Sequence, residues 1–221
     1  MGAFGPHYFE EIMKYTHIVW DFNGTIFDDL LPSIESTNEM LEKRGIPAFD
    51  NVEAYRRVFG FPVKNYYERI GFDFSVTPYE ELAVEWVALY LEKTKNAGLM
   101  PGVARALEKF QKMGITQVVI SACESEMLNE QLRGLGVISY FDEIIGLDDI
   151  HAGGKGTLVK KWREKHLDAK VMFIGDTVHD AEVASIAKSD CYLYLGGHQD
   201  KERLEKCGVV FEDFSELDEY I

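Results

Sequence analysis

The stretch Val19-Trp20-Asp21-Phe22-Asn23-Gly24-Thr25-Ile26 decides how the chain is read. Ile18, Val19 and Trp20 form an apolar run that passes directly into an aspartate, then a glycine and a threonine. A short apolar run bounded by turn residues reads as a buried parallel strand. An aspartate at its C-terminal end stands where open α/β sheets place their ligands. Gly24 lets the backbone turn sharply away from the strand. Asp21 is therefore presented from a rigid element into a crevice, as a nucleophile or metal ligand requires.

Working outward, further apolar runs repeat the pattern. Thr116 to Ser121 predicts a second buried strand ending at a serine. Phe141 to Leu147 holds a short strand, and Val171 to Gly175 a strong one followed by Asp176. Cys191 to Leu195 and Gly208 to Phe211 complete the set. Helical patterns fall between them, over Val103 to Met113, Glu124 to Leu135, Lys155 to His166, Asp180 to Lys188 and Asp200 to Cys207. Alternating strands and helices predict an α/β fold: a Rossmann-like parallel sheet with helices on both faces. Leu30 to Met100 breaks the alternation with helical signal alone. Its last helix is expected to start with Thr77 as N-cap and Pro78 at the first helical position, and to run to about Asn96. The expected organisation is a core of residues 1–29 and 101–221 with an all-helical subdomain, 30–100, inserted after the first strand. His7 to Met13 reads as a short helix in an N-terminal extension.

Composition narrows the function. The 221 residues carry a formal net charge of −15, which argues against a nucleic-acid or anionic-membrane surface. An anionic substrate has to be drawn in by a local positive site or a metal. Cys123, Cys191 and Cys207 are too few and too scattered for a disulfide framework or a zinc site, which suggests a reducing compartment. No stretch approaches the ~20 apolar residues of a membrane span, and the N-terminus lacks a signal-peptide core. A cytoplasmic protein is expected; the oligomeric state is not readable.

The opening stretch resembles the first motif of the haloacid dehalogenase-type (HAD) hydrolases, aspartate–x–aspartate–glycine–threonine. Gly175-Asp176-Thr177-Val178-His179-Asp180 resembles their fourth, Ser121 the second and Lys155 the third. The four occur in family order across most of the chain. The insert resembles the family's helical C1 cap, and the likeness is to the phosphoglycolate-phosphatase-like branch. The resemblance implies a magnesium-dependent phosphatase acting on a small phosphorylated metabolite, with Asp21 as nucleophile. Asp21, Asp176 and the backbone carbonyl of Asn23 would hold Mg2+, with Asp180 in support or capping its helix. Gly24, Thr25, Ser121, the amides of Ala122 and Cys123 at a helix start, and Lys155 would bind the phosphoryl group. Arg57, Phe61 and Lys64 of the cap would touch the substrate, Phe61 being equally readable as cap core. On their own, Ser121 reads as an N-cap and Lys155 as surface decoration; their order beside the other motifs favours function.

Two positions depart from the pattern. Gly156 replaces a proline after the lysine, and Asn23 stands where the family's phosphatases carry the second aspartate. That aspartate protonates the leaving oxygen and then activates water. An amide does neither, and losing such help typically costs ~10²–10⁴ in rate. Three readings follow. A phosphatase takes its proton elsewhere, from His179 or His198, or uses good leaving groups. A catalytically weakened protein binds a phosphorylated ligand or partner. Or the chain is a dehalogenase or a phosphonatase-type hydrolase, with Lys64 as the candidate Schiff-base lysine.

Overall fold

In the computed structural model, residues 14–147 and 154–221 are described. The helix expected at His7 to Met13 lies outside them. Strands β1 (His17–Trp20), β2 (Thr116–Glu124), β3 (Glu143–Leu147), β4 (Val171–Gly175), β5 (Asp190–Tyr194) and β6 (Val209–Phe211) form one sheet. The order is β3-β2-β1-β4-β5-β6, and every pairing is parallel.

Side chains alternate across a strand, and the core divides accordingly. Ile18, Trp20, Val119, Met172 and Ile174 face one apolar cluster. It is completed by Val103, Leu107 and Phe110 of α5 (Val103–Lys112) and by Leu128 and Leu132 of α6 (Ser125–Gly134). Val19, Val118, Ile120 and Phe173 face the other. There they meet Val159 and Trp162 of α7 (Gly154–Lys165) and Val183, Ala184 and Ala187 of α8 (Val178–Ala187). The expected two-faced α/β sheet is what forms.

Between β1 and β2 stand α1 (Leu30–Glu42), α2 (Val52–Val58), α3 (Val63–Arg69) and α4 (Tyr79–Lys93). They share an apolar cluster of their own, built on Leu30, Ile34, Met40, Leu41, Tyr55, Tyr66, Tyr67, Phe72 and Leu82. A short helix α9 (Lys201–Leu204) precedes β6. Among the described residues no helix is long and apolar enough to cross a membrane, and the three cysteines are free.

Several boundaries differ from expectation. Pro78, with ψ 145°, is the N-cap of α4, so Tyr79 rather than Pro78 is its first helical residue and Thr77 lies outside. That helix ends at Lys93, short of Asn96. Helix α9 stops at Leu204, where the amides of Cys207 and Gly208 turn back onto the Leu204 carbonyl. The difference that matters for function is in β2. It runs past Ser121 to Glu124, re-pairing with β3 through a register shift.

Candidate active site

Strands β1 and β4 are neighbours at the point where the strand order reverses, the crevice where open α/β sheets bind ligands. Asp21 follows β1, and its amide donates to the Ile174 carbonyl of β4 at 2.8 Å. Asp176 follows β4. Asp21, Asp176 and Asp180 each bring a carboxylate oxygen within 4.8 Å of the others, all three buried. Lys155, 3% exposed, donates to both Asp21 and Asp180.

The charges here are unequal in kind. Burial pushes Asp21 up to about 8; Lys155 pulls it down, while Asp180 and Asp176 repel it. Burial likewise raises Asp176 to about 7, against the pull of His198. Asp180 goes the other way: burial would raise it, but Lys155 and the hydrogen bonds from Thr177 hold it below the usual carboxylate range. Burial disfavours the charged lysine, yet Asp180 and Asp21 keep Lys155 above its ordinary value. Asp180 is thus the settled counter-ion of Lys155. Asp21 and Asp176 share a surplus of negative charge that a cation would relieve. Buried hard oxygens in surplus fit a small divalent ion.

Asp180 has little room to act as a ligand. Its Oδ1 accepts from Lys155 at 2.5 Å. Its Oδ2 accepts from Thr177 Oγ1 at 2.7 Å, Thr177 N at 3.0 Å and Asp176 N at 3.2 Å. Thr177 and Asp180 form a capping box at the start of α8. Asp180 therefore caps α8, and through the same oxygen it fixes the Asp176 backbone.

Two glycines make room for this packing. Gly24 has φ +72°, and a Cβ there would overlap the Asp176 carboxylate and the His198 ring. A Cβ at Gly197 would overlap the same Asp176 carboxylate. Gly24 and Thr25 do not face the crevice as expected. The Gly24 amide donates to Asp29 Oδ1 at 2.8 Å, and Thr25, fully buried, donates to Asp176 Oδ1 at 3.2 Å. They hold the carboxylates from behind.

The expected phosphate cradle at Ser121 is also rearranged. Because β2 continues to Glu124, Ala122 and Cys123 are strand residues and do not open a helix. The first amides of α6, those of Glu126 and Met127, are already capped by the Glu124 carboxylate. The Cys123 amide donates to Ser121 Oγ at 3.0 Å. Ser121 keeps its hydroxyl hydrogen as donor, and Ser121 and Ala122 remain in the cavity wall.

Asn23 belongs to a network that the sequence did not announce. Its Nδ2 donates to Asp29 Oδ2 at 2.9 Å and to the Tyr90 hydroxyl at 2.7 Å. Tyr90 in turn donates to Asp29 Oδ2 at 2.8 Å, and His198 Nε2 donates to Asp29 Oδ1 at 3.2 Å. Burial would raise Asp29; His198 and the hydrogen bonds from Tyr90 and Asn23 keep it below the usual range. Asp29 stands at the N-cap of α1 but makes no capping bond. An aspartate just before a helix reads locally as a cap, which is why it escaped notice.

His198 is no surface histidine. It is 4% exposed, its amide donates to Asp176 Oδ2 at 2.7 Å, and its Nδ1 shares a hydrogen bond of 2.9 Å with the Tyr55 hydroxyl. Burial would lower it, but Asp29 raises it to about 9. His179 is half-buried, with Nδ1 3.1 Å from Glu182 and its ring 4.9 Å from that of Phe61.

Asp21, Asn23, Asp29, Ser121, Ala122, Lys155, Asp176, Asp180, His179 and His198 all line one cavity of about 610 Å³. Phe61 lines it too, at 42% exposure. Arg57 and Lys64 do not. Arg57 points to solvent. Lys64 Nζ lies over the rings of Phe74 and Tyr79, at 5.4 and 5.7 Å, away from any Schiff-base chemistry in the cavity.

Comparison with known proteins bears on this geometry. The chain belongs to the haloacid dehalogenase-like hydrolases, whose family model matches residues 18–193. It is 23% identical, over 90% of its length and 94% of the relative's, to a phosphoglycolate phosphatase of Rhodobacter capsulatus. It is 25% identical to one of Nitrosococcus oceani, over 82% of its length and 85% of the relative's. The fold matches that of a haloacid dehalogenase-like family hydrolase of Streptococcus pneumoniae with a TM-score of 0.74, at 17% identity, covering 94% of this chain and 99% of the other.

Proposed function

We propose that the protein is a magnesium-dependent phosphatase that acts on a small phosphorylated metabolite through an aspartyl-phosphate on Asp21. The observation that carries this reading is the buried group of Asp21, Asp176 and Asp180 around Lys155 at the sheet's switch point. Two phosphoglycolate phosphatases among the relatives support the reaction class.

Asp21, Asp176 and the Asn23 carbonyl would hold Mg2+, which when bound neutralises the phosphoryl oxygens and the carboxylate surplus. Asp21 has one oxygen held by Lys155 and no described donor on the other, which would be the oxygen that attacks phosphorus. Lys155 and the Ser121 hydroxyl would stabilise the charge that grows on the phosphoryl oxygens. Asp180 keeps Lys155 in place. Covalent transfer to Asp21 divides one difficult step into two.

Asn23 hands no proton to the leaving oxygen, and both ring nitrogens of His198 are engaged, by Asp29 and Tyr55. This favours leaving groups that depart without a proton, such as acyl phosphates, with His179 as the remaining donor on the cavity wall. Asn23 also favours a second reading, a weakened enzyme that binds its phosphorylated ligand and turns it over slowly.

The test is phosphate release in magnesium from small phosphoesters and acyl phosphates. EDTA should abolish release and magnesium restore it. Asp21→Asn should lower release by at least about 10³-fold while its unfolding transition stays unchanged. Full release in EDTA would remove the magnesium from the proposal, and undiminished release from Asp21→Asn would remove the nucleophile.

A further inference from the structure

The wall of the cavity opposite Asp21 is aromatic and apolar. Phe59 and Phe61 between α2 and α3, Tyr66 and Tyr67 of α3 and Trp86 of α4 line it, together with Met127 of α6. At about 610 Å³ the space suits a ligand larger than a phosphate with a two-carbon tail.

The charges in the wall disfavour a substrate with a second negative group beyond its phosphoryl. The basic residues lining the cavity are Lys155, His179 and His198. Each already faces an acid: Lys155 faces Asp21 and Asp180, His179 faces Glu182, and His198 faces Asp29. Three arginines near the inserted helices are also engaged. Arg56 donates to the carbonyls of Gly197 at 2.8 Å and Gly196 at 2.7 Å. Arg203 donates to the carbonyl of Phe59 at 2.7 Å, and Arg69 to that of Val58 at 3.0 Å. Among the described residues, no cation that lines the cavity remains without an acid to receive a second negative group, while Glu124 and Asp29 also line the space.

Resting on the phosphatase reading above, we infer that the substrate carries, beyond its phosphoryl group, an uncharged, largely apolar body of aromatic size, and is not phosphoglycolate. The phosphoryl group would sit at Asp21 and Lys155. The body would lie between Phe61, Tyr67 and Trp86.

The experiment separates this inference from the reading it rests on. Phosphate release in magnesium is compared for acetyl phosphate and 3-phenylpropanoyl phosphate, whose leaving groups have nearly equal acidity, with phosphoglycolate as the charged comparison. Binding of methylphosphonate and 4-phenylbutylphosphonate to the magnesium-loaded protein is measured by calorimetry. The phenyl compounds should be favoured by about 100-fold, in kcat/KM and in affinity, as the transfer of one ring from water predicts. Phe61→Ala should reduce that preference about tenfold. Equal treatment of both phosphonates, or a preference for phosphoglycolate, overturns the inference and leaves the phosphatase reading standing. Preferential binding of the phenyl phosphonate without phosphate release from any compound supports the pocket and removes the phosphatase reading.

Discussion

Asn23 is held by an acid. Its amide donates to the Asp29 carboxylate at 2.9 Å, in a setting where Asp29 also accepts from Gly24, Tyr90 and His198. Restoring an aspartate at position 23 is therefore not a simple reversion. Asn23→Asp sets two carboxylates against each other and forces one to take up a proton. It loses a hydrogen bond to a charged group, which typically contributes about 1.5–3 kcal/mol. Urea denaturation at neutral pH should show a loss of that size, and the double variant Asn23→Asp with Asp29→Asn should recover most of it. The double variant should also raise phosphate release from alkyl esters by at least about 10²-fold, the lower range of general acid–base help. A single variant as stable as the natural protein would contradict this account of the pair.

At the scale of elements, what the sequence made legible were the local signals. The apolar runs ending in Asp21 and Asp176 identified β1 and β4 because a buried parallel strand needs no partner to be recognised. What it hid depends on tertiary placement. Residues 122–124 look like a helix start, yet they pair with β3 across a register shift. Arg57 looked like a substrate contact and Arg56 is the one that reaches the core, because adjacent helix positions point about 100° apart. The Asp29–Tyr90–His198 cluster joins three distant segments, and no spacing rule predicts it.

Helices α1 and α4 offer a test at the same scale. Arg44 of the segment after α1 pairs with Glu85 of α4 at 2.5 Å, and Lys43 adds a second contact at 2.8 Å. The hydrogen bond from Arg44, against the opposing effect of burial, holds Glu85 below the ordinary value of 4.5. A depressed acid stabilises the fold above its ordinary value, and that contribution fades as pH falls through the lowered one. Glu85→Gln should lower stability by roughly 0.5–1 kcal/mol at pH 7. The gap between variant and natural protein should close below about pH 4.5. A gap that widens on acidification would mean the pair does not brace these helices.

For the whole molecule, a net charge of −15 opposes the approach of any phosphate. The four acids nearest the reacting position, Asp21, Asp29, Asp176 and Asp180, sharpen that local problem rather than relieve it. Lys155 and His198, which pairs with Asp29, do not balance all four, which is why magnesium is central to the proposal. The aromatic wall then gives binding a source other than charge. Where a general acid at position 23 is missing, the second half-reaction, water attacking phosphorus, is the step left without help. The phosphorylated enzyme should therefore build up during turnover.

The most direct measurement is the mass of the protein, acid-quenched while it turns over an acyl phosphate in magnesium, followed by peptide mapping. The account predicts one added phosphoryl group, on the peptide carrying Asp21, absent in EDTA and in Asp21→Asn. Steady phosphate release with no phosphoryl group on that peptide, or with the group on another residue, would contradict it.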